Sequence, residues 1–167
     1  LNFNILANDS YQINSQIAIN LGVPSNGTIQ NNNGFITYSP NENYFGQDEF
    51  SYTIEQAGFT DGALVSITID SVNDAPVLAI VSDVSFDEDT TGSTSLTADD
   101  VDGDDLEFSI SGGSDITATL SGSDVSFSAP QDYSGNETFT VSVTDGTIVD
   151  SQSITVTVNA VNDPPVL

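Results

Sequence analysis

Hydrophobic and polar residues alternate along much of this chain. Apolar residues occupy every second position of segments 139–143 and 154–158, with Ser or Thr between them. A period of two is typical of antiparallel strands that bury one face. Asn33-Gly34 separates two strand-like segments and predicts a hairpin turn, and Gly122 occupies the matching place later in the chain. No segment shows helical periodicity, so the pattern predicts an all-β fold.

The chain also repeats itself. Residues 71–78 read SVNDAPVL, and residues 160–167, which lie 89 positions later, read AVNDPPVL. Tyr44, Gly46 and Phe50 recur at the same offset. Several matches in one order indicate two copies of a single structural unit.

The spacing of these matches predicts the boundaries of the repeats. We expect repeat 1 at 1–74, truncated at its N-terminus and lacking an opening strand, repeat 2 at 75–163, and the start of a third repeat at 164–167. Roughly seven short strands in about 90 residues are typical of an immunoglobulin-like sandwich. We therefore predict two tandem sandwiches that are joined by a short linker at 73–76, in a slice of a longer array.

Charge narrows the possible functions. The chain has 25 Asp and Glu, no Lys, Arg or His, and a formal net charge of −25. Nucleic-acid binding and attraction to anionic lipid both require basic residues, so neither is expected, and no apolar run is long enough to insert into a membrane. Without His, Cys or Lys there is no catalytic triad, thiolate or Schiff base, and zinc loses its preferred ligands. The remaining oxygen ligands suit calcium.

The acidic residues are most concentrated at 99–105, where five of seven residues are Asp. This run is either a solvated acidic loop or a calcium-binding loop. An EF-hand is rejected because Asp105 stands where its glycine is needed and Ser111 where its bidentate Glu is needed. A nonapeptide β-roll is rejected because Gly112-Gly113 does not recur.

Several motifs together resemble cadherin repeats. They are the Asn-Asp-Ala-Pro of 73–76, the Asp-x-Asp of Asp100 and Asp102, the Thr-Asp-Gly around Asp145, and the aromatic pattern of 38–52. The resemblance is closer to the bacterial cadherin-like tandem repeats of large secreted, RTX-type adhesins and surface proteins, and it covers nearly the whole chain. It implies cadherin-like Greek-key sandwiches with calcium bound where consecutive repeats join.

The resemblance also implies two sets of ligands. For the junction inside the chain the expected ligands come from the linker and from two loops of repeat 2; Asp104 is either a further ligand or solvated. They are Asn73, Asp74, Asp100, Asp102 and Asp145, with Asp70 nearby. For the far end of repeat 2 they are Glu88, Asp132, Asn162 and Asp163.

Repeat 1 departs from this pattern. Asn43 and Gln56 replace Asp132 and Asp145, and Asn8-Asp9 lacks equivalents of the later aspartates. We therefore expect fewer ions than at a vertebrate cadherin junction.

These features favour a non-enzymatic, calcium-rigidified adhesive module on the bacterial surface or secreted from the cell, with a role in cell adhesion or biofilm attachment. Expected partners are calcium, neighbouring repeats, and a surface polysaccharide or another cell-surface protein. The alternative is a calcium-dependent carbohydrate-binding module of a polysaccharide-active protein, which the absence of Trp disfavours. A two-carboxylate glycosidase is not expected, because no feature marks a buried acid with a raised pKa.

Overall fold

The structure is a computed structural model that describes residues 1–7 and 17–164. The predictions for Asn8-Asp9 and for residues 165–167 lie outside the described residues. Within the described part the chain forms fifteen strands and no helix, so the all-β prediction is confirmed. No helix in these ranges is long and apolar enough to cross a membrane.

The strands fall into two compact units, unit 1 (residues 1–72) and unit 2 (residues 73–167). The strands of unit 1 are β1 (Asn2–Asn4), β2 (Ala18–Leu21), β3 (Gly27–Asn32), β4 (Phe35–Pro40), β5 (Gly46–Gln56) and β6 (Phe59–Ile69). The strands of unit 2 are β7 (Val77–Leu78), β8 (Val84–Asp87), β9 (Thr91–Ser95), β10 (Ala98–Asp99), β11 (Glu107–Gly112), β12 (Thr117–Ser121), β13 (Asp124–Ser128), β14 (Gly135–Thr144) and β15 (Val149–Asn159). Asn73 and Asp74 thus group with the strands that follow them.

Unit 2 is a sandwich of two sheets. One sheet has the order β11-β14-β15-β8, the other has the order β12-β13-β9, and β10 pairs with β7. All neighbouring strands are antiparallel except β15 and β8, which are parallel. Phe127 on β13 meets Phe139 on β14 edge to face, with ring centroids 5.3 Å apart, so aromatic packing joins the two sheets.

Alternation explains the core of unit 2. Phe139, Val141 and Val143 on β14 are buried, while the Thr and Ser residues between them are partly accessible. The same holds for 154–158 on β15. Because successive strand residues point to opposite faces, each strand contributes one apolar face to the core.

The described residues of unit 1 form two three-stranded sheets, with orders β2-β5-β6 and β1-β4-β3. Its buried core is smaller and includes Ile36, Tyr38, Phe50 and Ile67. The predicted hairpin turn at Asn33-Gly34 joins β3 to β4, and both residues have positive φ, 53° and 91°. This is the backbone conformation that an Asn-Gly turn provides at little steric cost.

The repeat extends to strand register. Phe50 on β5 pairs with Val65 on β6, and their equivalents 89 residues later, Phe139 and Ile154, pair in the same way. The β3–β4 hairpin likewise matches β12–β13.

Candidate metal site

The first candidate site is built on the loop that follows β10. Oδ1 of Asp100 accepts backbone N–H groups from Asp102, Gly103 and Asp104, at 2.9, 3.1 and 3.4 Å. Gly103 has φ 77°, which allows the chain to curl around this oxygen. A short Asp side chain is suited to such a turn because it can accept from the backbone two or three residues ahead.

The second oxygen of Asp100 is in a different situation. Oδ2 is buried, and it has no hydrogen-bond partner in the described part of the chain. Burial of a carboxylate oxygen without a partner is unfavourable unless a cation or a donor compensates for the lost water. The sequence supplies no cationic side chain that could do so.

Two further carboxylates lie close to that of Asp100. Asp100, Asp104 and Asp145 each place one carboxylate oxygen within 4.8 Å of the others, and we call this set the Asp100 cluster. Asp145 lies in the loop between β14 and β15, 45 residues after Asp100, so the sandwich brings together two loops that are distant in sequence. Partial desolvation, with the negative charges of Asp100, Asp102, Asp145 and Asp105, raises the pKa of Asp104.

Asp145 is held in position by donors on both of its oxygens. Oδ1 accepts the backbone N–H groups of Thr147 and Ile148, both at 2.6 Å. Oδ2 accepts the side-chain amide of Asn73 at 2.8 Å. The bond from Asn73, followed by the two backbone bonds, lowers the pKa of Asp145. This carboxylate is therefore ionised and oriented before any ligand arrives.

The start of unit 2 is tied to the same loops. The backbone N–H of Asp74 donates to Oδ2 of Asp102 at 2.7 Å, next to the bond between Asn73 and Asp145. Asn73, Asp74 and Asp102 therefore border the Asp100 cluster. Every group in this arrangement that could contact a metal is an oxygen of a carboxylate, amide or backbone carbonyl, which fits calcium and does not fit zinc.

A second acidic group lies elsewhere in unit 2. Asp89, Asp132 and Asp163 each place a carboxylate oxygen within 4.8 Å of the others, and we call this set the Asp132 cluster. Glu88 is buried and accepts the backbone N–H of Val161. Desolvation, followed by the charges of Asp132, Glu88 and Asp89, raises the pKa of Asp163.

The predicted ligand residues fall into three groups in the structure: members of the two clusters, their hydrogen-bonded neighbours, and Asp70. Asp100, Asp104 and Asp145 form one cluster, and Asp132 and Asp163 belong to the other. Asn73, Asp74, Asp102 and Glu88 are hydrogen-bonded neighbours, and Asn162 donates to the backbone oxygen of Asp163. Asp70 follows β6 in unit 1, is exposed, and belongs to neither cluster.

Sequence reasoning missed Asp89. It directly follows the predicted ligand Glu88, and its φ of 58° turns the chain toward the loop of Asp132, whose backbone N–H donates to Asp89 at 3.3 Å. The backbone also explains why repeat 1 has Asn43 at the position where repeat 2 has Asp132. Both residues have φ 57°, a conformation that Asn and Asp tolerate better than most residues.

Asp48 is a carboxylate with a structural role that the sequence did not reveal. It is buried on β5 and accepts four hydrogen bonds, from the backbone of Ser25, Asn26 and Glu49 and from the hydroxyl of Tyr38. Burial opposes its ionisation, but these bonds outweigh burial and lower the pKa of Asp48. The sequence signal that could have indicated this role is an acidic residue at a position of β5 where the alternation predicts a buried side chain.

Glu137 has the equivalent structural role in unit 2. It lies 89 residues after Asp48, and its carboxylate accepts the backbone N–H groups of 114–116, directly before β12. The equivalent of Tyr38 there is Phe127, which has no hydroxyl, and the longer Glu side chain serves the loop without it. In both units a carboxylate fixes the loop that leads into the hairpin.

Comparisons with known proteins bear on the fold and the family. The chain matches the bacterial Ig domain family over residues 1–68 and 73–159. The EC1-2 fragment of human protocadherin-24 is 13% identical, with a TM-score of 0.54, and the match covers 90% of this chain and 85% of that chain. This likeness confirms the predicted Ig-like, cadherin-like sandwich fold.

Two further structures are more distant. Drosophila N-cadherin EC1-3 is 12% identical, with a TM-score of 0.47 and coverage of 90% and 57%. An endo-fucoidan hydrolase from glycoside hydrolase family 107 is 18% identical, with a TM-score of 0.40, and the match covers 87% of this chain but only 24% of the hydrolase. The chain therefore spans about a quarter of that enzyme's length.

No curated protein matches the chain significantly. The family match, by contrast, covers most of the chain in two consecutive segments, which correspond to the two compact units. Bacterial Ig domains typically occur in extracellular and cell-surface proteins. The chain therefore belongs to the bacterial Ig domain family, as a pair of Ig-like, cadherin-like repeats of the kind found in bacterial surface proteins.

Proposed function

We propose that the chain is a calcium-binding structural and adhesive module of a bacterial extracellular or surface protein, of the RTX-adhesin type. The observation that carries the proposal is the Asp100 cluster, and above all the buried Oδ2 of Asp100, which has no hydrogen-bond partner among residues 1–7 and 17–164. In a chain without cationic side chains, a metal ion is the natural compensation for three carboxylates this close together.

Calcium takes six to eight oxygen ligands in flexible geometry. Asp100, Asp104 and Asp145 supply three carboxylates, and oxygens of Asn73, Asp74 and Asp102 are available beside them. The bound ion would replace mutual repulsion among these carboxylates with shared attraction. Desolvation, followed by the charges of the neighbouring aspartates, raises the pKa of Asp104, and a bound cation would oppose both effects. The hydrogen bonds on Asp100 and Asp145 preorganise the ligands, so less ordering accompanies binding.

Ion binding here would restrict the linker. Asn73 and Asp74 are hydrogen-bonded to the loops that carry the cluster, and they follow Val72, the last residue of unit 1, in the chain. An ion that fixes these two residues reduces the conformations open to the connection. We therefore propose that calcium stiffens the array, so that a long chain of repeats holds its binding end away from the cell.

The Asp132 cluster would serve the next repeat in the same way. The turn at Asn73-Asp74 recurs at Asn162-Asp163, where the Asn amide again donates to the following backbone oxygen, at 2.8 and 2.9 Å. The sequence motif and its local geometry therefore both repeat. We propose that a calcium ion at Asp89, Asp132 and Asp163 fixes the segment after β15.

A calcium titration of the full chain tests this proposal. Thermal unfolding and calorimetry should show calcium binding and stabilisation, by about 2.7 kcal/mol when the free ion reaches 100 times its dissociation constant. Asp104→Asn should weaken binding at the Asp100 cluster about tenfold, because it removes one charged ligand and the repulsion that binding relieves.

The matched control is Asp105→Asn. Asp105 is the next residue, is also exposed and carries the same charge, but it is outside the cluster. The two variants therefore have the same net charge and separate ligation from a general charge effect. Equal affinities for the two variants, or a parent chain that melts at the same temperature with calcium and with chelator, would exclude calcium ligation at this cluster.

Adhesion needs a separate measurement. Small-angle scattering with and without calcium should show a narrower range of interdomain distances in the calcium form. Bead or cell attachment by an array of these repeats should fall in chelator and in the Asp104→Asn variant. Attachment that persists in chelator would separate adhesion from calcium binding.

One observation keeps the carbohydrate-binding alternative in view. Phe59 is 82% exposed, and Phe35 and Phe45 are also exposed, although no ring contact joins them in the described part of the chain. Aromatic rings accessible to solvent can stack on sugars. A pull-down with insoluble polysaccharide should retain the parent chain and lose Phe59→Ala if this alternative is right.

A further inference from the structure

The side-chain amide of Asn73 bridges two oxygens beside the Asp100 cluster. Its Nδ2 donates to Oδ2 of Asp145 and to the backbone oxygen of Asp74, both at 2.8 Å. An amide NH2 group has two hydrogens to donate, so each of these oxygens can accept one of them. A single nitrogen therefore connects a carboxylate of the cluster to a carbonyl of the linker.

The other carboxylate oxygen of Asp145 is already occupied. Oδ1 accepts the backbone N–H groups of Thr147 and Ile148, both at 2.6 Å. A carboxylate oxygen offers about two lone pairs, so these two bonds fill Oδ1. Oδ2 is therefore the oxygen through which Asp145 can contact a metal ion, and it is the oxygen to which Asn73 donates.

The composition of the chain explains the value of an amide at position 73. The chain has no Lys, Arg or His that could place a cationic donor beside Asp145. An Asp at position 73 would have no hydrogen to donate and would add a third negative charge next to Asp74 and Asp145. The NH2 group of Asn73 carries partial positive charge, and it binds two oxygens that a cation could also bind.

A calcium ion and this NH2 group compete for the same two oxygens. Calcium lies about 2.3–2.6 Å from its ligands, so an ion on Oδ2 of Asp145 and on the oxygen of Asp74 would face the partially positive hydrogens of the amide. Rotation of the amide by about 180° exchanges its NH2 group with Oδ1, which is similar in size. The oxygen of Asn73 would then point where its donor pointed.

We propose that Asn73 is a two-state residue whose amide rotates when calcium binds. Without calcium its NH2 group donates to Asp145 and to the backbone oxygen of Asp74, and this donation positions both oxygens. With calcium its Oδ1 faces the ion and its NH2 group faces solvent, since Asn73 is an exposed residue. This inference rests on the calcium binding proposed above, and it adds how the first linker residue is held in both states.

Nuclear magnetic resonance of the full chain, labelled with ¹⁵N, follows the two side-chain amide protons of Asn73. Asn73→Asp has no such protons, so it identifies their signals. In chelator we expect these protons to exchange with water about tenfold more slowly than those of a free amide, because one acceptor is a charged carboxylate. In saturating calcium this protection should be lost.

The matched control is Asn136, in the same samples. It is exposed on β14, and its side chain has no hydrogen bond within residues 1–7 and 17–164. Its amide protons should exchange at the same rate in chelator and in calcium. They therefore report any general effect of the ion on exchange.

The possible outcomes distinguish this proposal from the calcium proposal on which it rests. If calorimetry detects calcium binding while the Asn73 protons keep their protection, the amide does not rotate, and this proposal is overturned although the calcium site stands. Asn73 protons that exchange as fast as those of Asn136 in chelator would also overturn it, because neither hydrogen bond would then exist in solution. A chain that binds no calcium would overturn both proposals.

Discussion

The hydroxyl of Tyr38 offers a sharp test of the carboxylate that fixes the hairpin loop of unit 1. Tyr38 is 2% exposed and donates to Oδ2 of Asp48 at 2.7 Å. Tyr38→Phe removes this oxygen and leaves the ring in the core. It also recreates the situation of unit 2, where the equivalent residue is Phe127.

The expected magnitude follows from the bonds that remain. A hydrogen bond to a charged group contributes about 1.5–3 kcal/mol, and the carboxylate of Asp48 keeps three backbone donors when the hydroxyl is lost. We therefore expect unit 1 to lose about 2 kcal/mol of unfolding free energy. For a domain of this size that corresponds to a fall in Tm of about 10 °C.

Alkaline pH gives a second readout of the same bond. Burial, followed by the hydrogen bond and charge of Asp48, raises the pKa of Tyr38 from 10.0 to about 12. Because the folded state holds this proton more tightly than the unfolded state, the contribution is fully present below pH 10 and is lost as the pH rises to about 12. Tyr38→Phe should lack this alkaline loss.

Tyrosine fluorescence during urea unfolding is a suitable assay, because the chain has no Trp and four of its five Tyr residues lie in residues 1–72. The matched control is Tyr44→Phe. The hydroxyl of Tyr44 donates to a neutral backbone oxygen, that of Gln47, at an exposed position, so its loss should matter little. If the two variants unfold at the same urea concentration, the argument for a buried charge-assisted bond is wrong.

Three other predictions concern local structure. Glu137→Gln should speed hydrogen exchange of the backbone amides in the loop before β12. Backbone hydrogen bonds lower the pKa of Glu137, so the parent chain should lose its protection of these amides as the pH falls below 4.5. A difference in exchange rate between parent and variant that does not change with pH would contradict the assignment. Gly92→Ala should destabilise unit 2 by about 1–3 kcal/mol in urea unfolding, because its Cβ would clash with Phe86, and an unchanged midpoint would show that the strand yields freely. Asn43→Asp should leave the Tm of unit 1 nearly unchanged, whereas Asn43→Ala should lower it by an amount equivalent to about 1–2 kcal/mol. The reason is that Asn and Asp adopt a backbone φ of 57° more readily than Ala does. Equal melting temperatures of the two variants would refute this prediction.

The sequence predicted much of the candidate site, but incompletely. Asp100 and Asp102 form a motif, and Asp145 precedes a glycine at a strand end, so pattern and resemblance indicated these residues. Asp89 carried no motif of its own, since its role depends on a turn that brings it to Asp132. Which residues bind the ion stays a prediction until the titration is done.

The sequence by itself determined the all-β class, the doubled unit and its 89-residue offset, because period-two alternation and repeated motifs are local features that any stretch of chain displays. It also determined that only oxygen ligands are available. The tertiary structure decided which carboxylates meet, because Asp100 and Asp145 lie on loops 45 residues apart that approach only when two strands pack into one sandwich. It also decided that Asp48 and Glu137 bind backbone in place of solvent, because burial and hydrogen bonding depend on what the rest of the chain places beside a residue.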